Sequence, residues 1–431
     1  MSEKLDLILF GVTGLVGRYG VRYLYRLCKE KNLTWGVAGR SEYKIKKVLE
    51  KLEDETKDQS VAKIPIILAD MSDEQSINQM TSRCKVLIQA CGPLRQMGEV
   101  VVQKACIQSR THYVDVSAEE NFIDKIQVEY HEDAKKAGIY VVCACGFDCV
   151  IYDLGLKHLQ HKFKGTVNSV ETYLKLDYHN PTLTGPSYNV STWNSTIDLL
   201  VNKHELKALQ AKIFNKHMPK LKPALDTKYF PFKPHVEDGW SILLTGSDRS
   251  VMMRTQQYLY EEKNHRPVQI QTYLMLKALY YLIFFVIYGL MISICLPFKL
   301  GRKILLRYPA FFSAGVFGSR EPSAEMCENS YFRLTFVAKG WKNKIIGPHE
   351  KLNEMPNHGM ILQIKGNNPG YRVSALCLIL SGFLLSTQSN KLPGKPGVYT
   401  PGIAFRDTTI VKDLDDHGLS FNVLNEFAIT S

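Results

Sequence analysis

Leu5-Asp6-Leu7-Ile8-Leu9-Phe10 runs straight into Gly11-Val12-Thr13-Gly14-Leu15-Val16-Gly17, and this passage decides how the chain begins to fold. An apolar strand that ends in glycine lets the backbone turn tightly. A second glycine allows close approach to a pyrophosphate, and a third lets the following helix pack on the strand. Leu15, Val16, Val21, Leu24 and Leu27 then recur at helical spacing. A glycine triplet alone also serves ordinary turns. Strand, turn and helix in sequence predict a dinucleotide site, with Gly11, Thr13, Gly14, Leu15, Val16 and Gly17 around the phosphates and the helix amides facing them.

The second strand narrows the guest. Thr34-Trp35-Gly36-Val37-Ala38 ends in Gly39-Arg40-Ser41, where an NAD site usually carries an acidic residue on the ribose hydroxyl. With no carboxylate there, the Arg40 guanidinium and the Ser41 hydroxyl suit a 2′-phosphate. NADP is favoured, and NAD stays open as the alternative. The plainer reading makes Ser41 the cap of a helix from Glu42 and Arg40 a solvated charge.

Strand and helix patterns alternate through the first third, with strands near residues 64–69, 86–91, 113–116 and 139–145. That order predicts a doubly wound parallel sheet, a Rossmann domain over residues 1–150. Its strands end in Asp70, Gly92-Pro93, Asp115-Val116-Ser117 and Gly146-Phe147-Asp148, and ligands of such sheets sit outside those carboxyl ends. Asp70, Gly92 and Pro93 therefore join the cofactor candidates, although Gly92-Pro93 is equally an ordinary turn. Beyond Asp153 the alternation stops and longer strands follow, such as 167–176 and 331–338. A second α/β domain with a mixed sheet is expected over residues 151–431. Within it, Leu376, Ile379, Leu380, Phe383 and Leu384 mark a core-facing helix, and residues 386–397 read as a loop.

The 431 residues carry a formal charge of +12 and ten cysteines. The basic residues are scattered, and no zinc finger or RNP-like motif accompanies them, so nucleic acid is not an expected partner. Cofactor phosphates and anionic lipid headgroups fit the charge better. The first residues do not read as a signal peptide, and the cysteine spacings are irregular, which favours reduced, intracellular thiols. Cys143 and Cys145 alternate along a strand and no CxxC pair occurs, so no metal site is expected. An oligomer stays open.

Residues 278–298 contain no charged side chain. As one helix they would extend roughly 31 Å, enough to span a bilayer core. Lys263, Arg266 and Lys277 precede the segment and Lys299, Arg302, Lys303 and Arg307 follow it, while Tyr280, Tyr281 and Phe298 suit interfacial anchoring. Basic flanks on both sides place both ends at one anionic surface. A membrane-inserted segment that does not cross is expected, with Gly289 and Pro297 as bend points for a re-entrant hairpin. The competing reading is a buried core helix.

Taken together, Gly11-Val12-Thr13-Gly14-Leu15-Val16-Gly17, Ala38-Gly39-Arg40, Cys91-Gly92-Pro93, Tyr113-Val114-Asp115, Gly146-Phe147-Asp148, Thr192-Trp193 and Tyr399-Thr400-Pro401-Gly402 resemble the saccharopine dehydrogenase-like oxidoreductases. The likeness covers nearly the whole chain and is strongest to membrane- or lipid-droplet-associated animal members. It implies an NADP-binding Rossmann domain, an α/β substrate domain, and a late segment returning to the first domain. It also implies a lipid droplet or intracellular membrane as location, on the cytosolic face. A similarity to bacterial trans-acting enoyl reductases points to a lipid-linked substrate, in lipid or glycolipid metabolism. The family pattern continues after Gly-Phe-Asp with Ser and Pro, where this chain has Cys149-Val150.

Reduction by hydride needs a proton donor in reach. Tyr113, Asp148, Tyr152 and Asp153 are the candidates, with a structural alternative for Asp148 as a helix cap and for Tyr113 as a packed strand aromatic. The expected function is an NADP(H)-dependent oxidoreductase at a lipid surface, acting on a small or lipid-linked substrate. One alternative is a nucleotide-binding droplet scaffold without turnover. Another is a saccharopine-type amino-acid dehydrogenase, which would use Arg95, Arg249 or Arg254 to clamp carboxylates.

Overall fold

A computed structural model describes residues 3–92, 101–214, 216–350, 352 and 354–429. Its strands, in chain order, are β1 (Leu5–Phe10), β2 (Trp35–Gly39), β3 (Ile66–Leu68), β4 (Cys84–Gln89), β5 (His112–Asp115), β6 (Tyr140–Val142), β7 (Gly165–Tyr178), β8 (Tyr188–Asn189), β9 (Trp240–Leu243), β10 (Gln269–Leu276), β11 (Phe317–Gly318), β12 (Ser330–Lys342), β13 (His358–Asn367), β14 (Gly397–Tyr399) and β15 (Ser420–Ala428). The helices of the first part are α1 (Leu15–Lys31), α2 (Glu42–Thr56), α3 (Glu74–Thr81), α4 (Val101–Ser109), α5 (Glu120–Ala137) and α6 (Phe147–Lys162).

The chain divides into two units, one of Met1–Val150 with Gly370–His417, the other of Ile151–Pro369 with Gly418–Ser431. The second domain expected over 151–431 is therefore interrupted. The cause is β14, which adds to the edge of the first unit's sheet by pairing Gly397 with Tyr140 and Tyr399 with Val142.

The first unit is a seven-stranded sheet in the order β14-β6-β5-β4-β1-β2-β3, and every pair in it is parallel. Such a sheet needs apolar strands because both faces are covered. Leu7, Ile8 and Leu9 of β1 accordingly have no exposed surface. α1 buries Val21, Leu24 and Cys28 and stops at Asn32, which takes the left-handed conformation at φ 53°, while Lys29 and Lys31 complement its carbonyl end. The helix Ser374–Thr387 is buried from Ser374 through Leu385. It packs on α1, β4 and β5, so the spacing of Leu376 to Leu384 correctly marked a core helix.

The second unit holds a six-stranded sheet ordered β15-β13-β12-β7-β10-β9. Only β7 and β10 run parallel in it, which makes it mixed. Gly155 of α6 faces this sheet so closely that a Cβ would stand 2.7 Å from the Phe336 ring. All ten cysteines are free thiols.

The apolar segment is not one helix over 278–298. A helix covers Leu279–Cys295, and a second, amphipathic one covers Lys299–Arg307. Gly289 does not bend the first helix, which runs through it. The break falls at Leu296-Pro297-Phe298, where proline cannot donate to the helix ladder. Arg302 Nε donates to the Leu296 carbonyl at 2.7 Å, and Gly301 comes within what would be 2.1 Å of the Cys295 carbonyl if it bore a Cβ. A buried core helix is excluded as well: Leu279–Cys295 has no buried residue.

The seam between the covering helix and β4 predicts its own test. A Cβ at Gly382, in the helix Ser374–Thr387, would lie 2.4 Å from Ile88 Cγ1 of β4. Gly382→Val is expected to cost about 1–3 kcal/mol through overpacking. A lowered urea midpoint with an unchanged far-ultraviolet dichroism spectrum is the outcome that supports it.

Candidate cofactor and active site

The site is built where β1 ends. Gly11 turns the chain at φ +88°, a left-handed conformation natural to glycine. Its amide donates to the Ala38 carbonyl at 3.0 Å, and its carbonyl accepts from Gly14 N at 3.0 Å. A Cβ on Gly11 would sit 2.6 Å from Cys91 Sγ, and one on Gly17 would sit 2.2 Å from the Gly11 carbonyl. Both positions are closed to side chains. Gly14 differs: its Cβ would meet only the Gly11 carbonyl, at 3.4 Å. Glycine there keeps space open beside the start of α1. No side chain caps this helix and its first turn holds no acid, so the dipole end presents amides suited to an anion. Thr13, Leu15 and Val16 are half-buried around that space. These features fit a pyrophosphate.

At the end of β2, Arg40 is exposed. The Ser41 hydroxyl accepts from Lys44 N at 3.4 Å as the cap of α2, so the plainer reading of Ser41 is realised. The Asp70 carboxylate accepts from the amide and hydroxyl of Ser72 at 2.9 and 2.8 Å. These bonds hold its carboxyl below the ordinary range, and Arg40 acts in the same direction. Arg40 therefore stands near the ends of β2 and β3, next to the phosphate turn. Gly92 has nothing within 4 Å of its would-be Cβ. Pro93 and Arg95 lie outside the described residues.

At the ends of β5 and β6, Asp115 Oδ1 accepts from Ser117 N, Ser117 Oγ and Ala144 N at 3.0, 2.6 and 3.0 Å. Burial pushes the Asp115 carboxyl up, and these donors oppose the rise. Asp115 thus fastens the two strand ends together. Downstream, Phe147 N donates to Ser374 Oγ at 3.2 Å, which fixes the start of α6. Ser374 is a contributor that sequence reading missed, because 227 residues separate it from Phe147 and no local pattern marks it.

The four acid–base candidates separate by environment. Tyr113 has no exposed surface; Gln103 Nε2 donates to its hydroxyl at 2.7 Å, and burial drives its phenol well above the ordinary range. Tyr152 is buried and meets Phe336 at 6.3 Å between ring centroids. Asp153 is buried and accepts from Thr255 Oγ1 at 2.7 Å. Asp148, in the first turn of α6, is exposed. Although solvent reaches it, the protein crowded around it strips enough water to push its carboxyl up to about 6. Among the described residues no three His, Cys, Asp or Glu side chains come together as a metal-binding group.

Comparison with known proteins agrees with this geometry. Residues 7–142 match the model of the saccharopine dehydrogenase NADP binding domain. A human saccharopine dehydrogenase-like oxidoreductase is 31% identical over 429 residues, 98% of each chain. The chain belongs to the saccharopine dehydrogenase-like oxidoreductase family. NADP is accordingly the cofactor its first unit binds. A second relative of this family membership, from Caenorhabditis elegans, is named a lipid droplet localized protein and is 31% identical over 99% of both chains. The fold also matches apo saccharopine dehydrogenase (L-Glu forming) from Saccharomyces cerevisiae, with a TM-score of 0.56 over 99% of this chain and 100% of that one, at 14% identity.

Arg40 gives the saccharopine dehydrogenase-like site a test of phosphate selectivity. Removing one charge-assisted contact to a phosphate costs on the order of 1.5–3 kcal/mol. Arg40→Ala is therefore expected to weaken NADPH binding roughly ten- to hundredfold and to leave NADH binding nearly unchanged. Cofactor fluorescence titration of both nucleotides checks it.

Proposed function

We propose that this chain is an NADP(H)-dependent oxidoreductase that works at the surface of a lipid droplet or intracellular membrane, on its cytosolic face. Its substrate is lipid-linked, which places the reaction in lipid or glycolipid metabolism. One observation carries the reading: a chain with a nucleotide cradle also bears an apolar helix without a buried residue, with Ile283, Phe284 and Phe285 all about half accessible to solvent. Soluble proteins rarely leave such a surface in water. The droplet name of the nematode relative supports the same location.

In this reading Gly11, Gly14, Gly17 and the first amides of α1 hold the pyrophosphate, with Thr13, Leu15 and Val16 lining the approach. Arg40 meets the 2′-phosphate with Ser41 beside it, Asp70 orients Arg40, and Gly92 leaves room for the ring end of the cofactor. Bound NADPH supplies a hydride. Asp148 supplies the proton, since it is the one acid–base candidate that solvent reaches. The saccharopine-type alternative is weakened by its clamp residues. Arg249 Nε donates to the Ile270 carbonyl at 3.2 Å, and Arg254 is buried.

The experiment is NADPH oxidation by the purified chain with droplet lipid extract. Gly14→Asp, which fits the open space at Gly14 but places a negative charge against the phosphates, is expected to abolish turnover. A donor must carry its proton, so reduction should fall as pH rises through about 6. Asp148→Asn should flatten that limb and slow turnover roughly 10²–10⁴-fold. Tight NADPH binding with no turnover on any lipid fraction would assign the chain as a scaffold instead.

A further inference from the structure

Both ends of the apolar helix are fastened to one folded unit. At its start, β10 ends at Leu276 while paired with β7 and β9. At its finish, Met291, Ile292, Cys295 and Leu296 pack against Trp193, Ile197, Leu305 and Phe312. Trp193 Nε1 locks this contact by donating to the Leu305 carbonyl at 2.9 Å.

Between these anchors the helix has no buried residue, only Leu282, Tyr288 and Gly289 being partly covered. Ile283, Phe284, Phe285, Val286 and Ile287 are consecutive, so their side chains point all around the axis. Their exposures are nevertheless nearly equal, from 46% to 54%. A helix resting on protein buries a stripe. This one needs an apolar solvent on every side. Its 17 residues extend about 25 Å, short of the about 30 Å hydrocarbon core of a bilayer.

The surrounding charge selects among lipids. No Asp or Glu occurs between Glu262 and Glu321. On the helix Lys299–Arg307, Lys299, Lys303 and Arg307 are exposed, and so are the apolar Leu300, Ile304 and Leu306. Arg302 is held by the Leu296 carbonyl. A basic amphipathic helix beside an all-round apolar one fits an interface with anionic headgroups.

We propose that Leu279–Cys295 is a handle immersed in a single leaflet of an anionic phospholipid surface, without crossing it, and that Lys299, Lys303 and Arg307 bind the headgroups. The proposal rests on the lipid-surface reading above and adds the leaflet and the lipid charge.

The test is flotation of the full chain, tagged at both ends, with phosphatidylcholine vesicles prepared with or without phosphatidylserine. Binding is expected to be about tenfold or more stronger with phosphatidylserine, and to weaken in high salt. The combined variant Lys299→Glu, Lys303→Glu and Arg307→Glu should lose that preference, keep its binding to phosphatidylcholine, and retain NADPH binding as proof of folding. External protease should remove both tags from vesicle-bound protein. Equal flotation of the native chain on both vesicles overturns the headgroup assignment and leaves the lipid reading standing. A protected terminal tag overturns the single leaflet. Flotation on neither vesicle overturns both this proposal and the lipid reading.

Discussion

A sheet of parallel strands has two apolar faces, and neither can be left in water. Much of this chain's organisation follows from that requirement. Leu7, Ile8 and Leu9 of β1 and Val86, Leu87 and Ile88 of β4 have no exposed surface, and the helices of the first stretch do not complete the cover. The chain leaves after Val150 and comes back at Gly370 to lay Ser374–Thr387 over α1, β4 and β5. Because Ser374 then accepts from Phe147 N, the covering helix also fixes the turn that presents Asp148. Packing and site geometry are joined at one residue.

Composition alone does not separate the two apolar helices. Ser374–Thr387 and Leu279–Cys295 are both strongly apolar, yet the first is buried almost throughout and the second has no buried residue. What separates them is what each has to pack against. The first meets a sheet whose face would otherwise be open. The second is held only at its ends, by β10 and by the cluster around Trp193.

Local chemistry was the legible part of the sequence. The glycine spacing placed the cradle because Gly11 and Gly17 answer nearby steric demands, Gly17 against the Gly11 carbonyl, while Gly14 keeps space open beside them. The longer strand patterns at 167–176 and 331–338 likewise announced β7 and β12, which pair in the second sheet. Long-range pairing was not legible: β14 is three residues long, too short for any pattern to mark it as a sheet edge. Among the acid–base candidates, Tyr113, Asp148, Tyr152 and Asp153 looked alike in sequence, since burial distinguishes them and burial is a property of the assembled fold. Of the two bend points the sequence offered in the apolar run, the break falls at Pro297 and not at Gly289, and Gly301 and Arg302 hold the turn that follows.

The interrupted path of the first unit has a consequence for biosynthesis. Ribosomes deliver the chain from its amino end at roughly 5–20 residues per second. The Leu279–Cys295 helix therefore emerges seconds before Ser374–Thr387, and before the β14 edge strand. During that interval the nascent chain carries an exposed apolar helix and a nucleotide sheet whose cover is incomplete. On the lipid-surface reading proposed above, the order of synthesis makes the apolar helix available for adsorption before the cofactor fold can close.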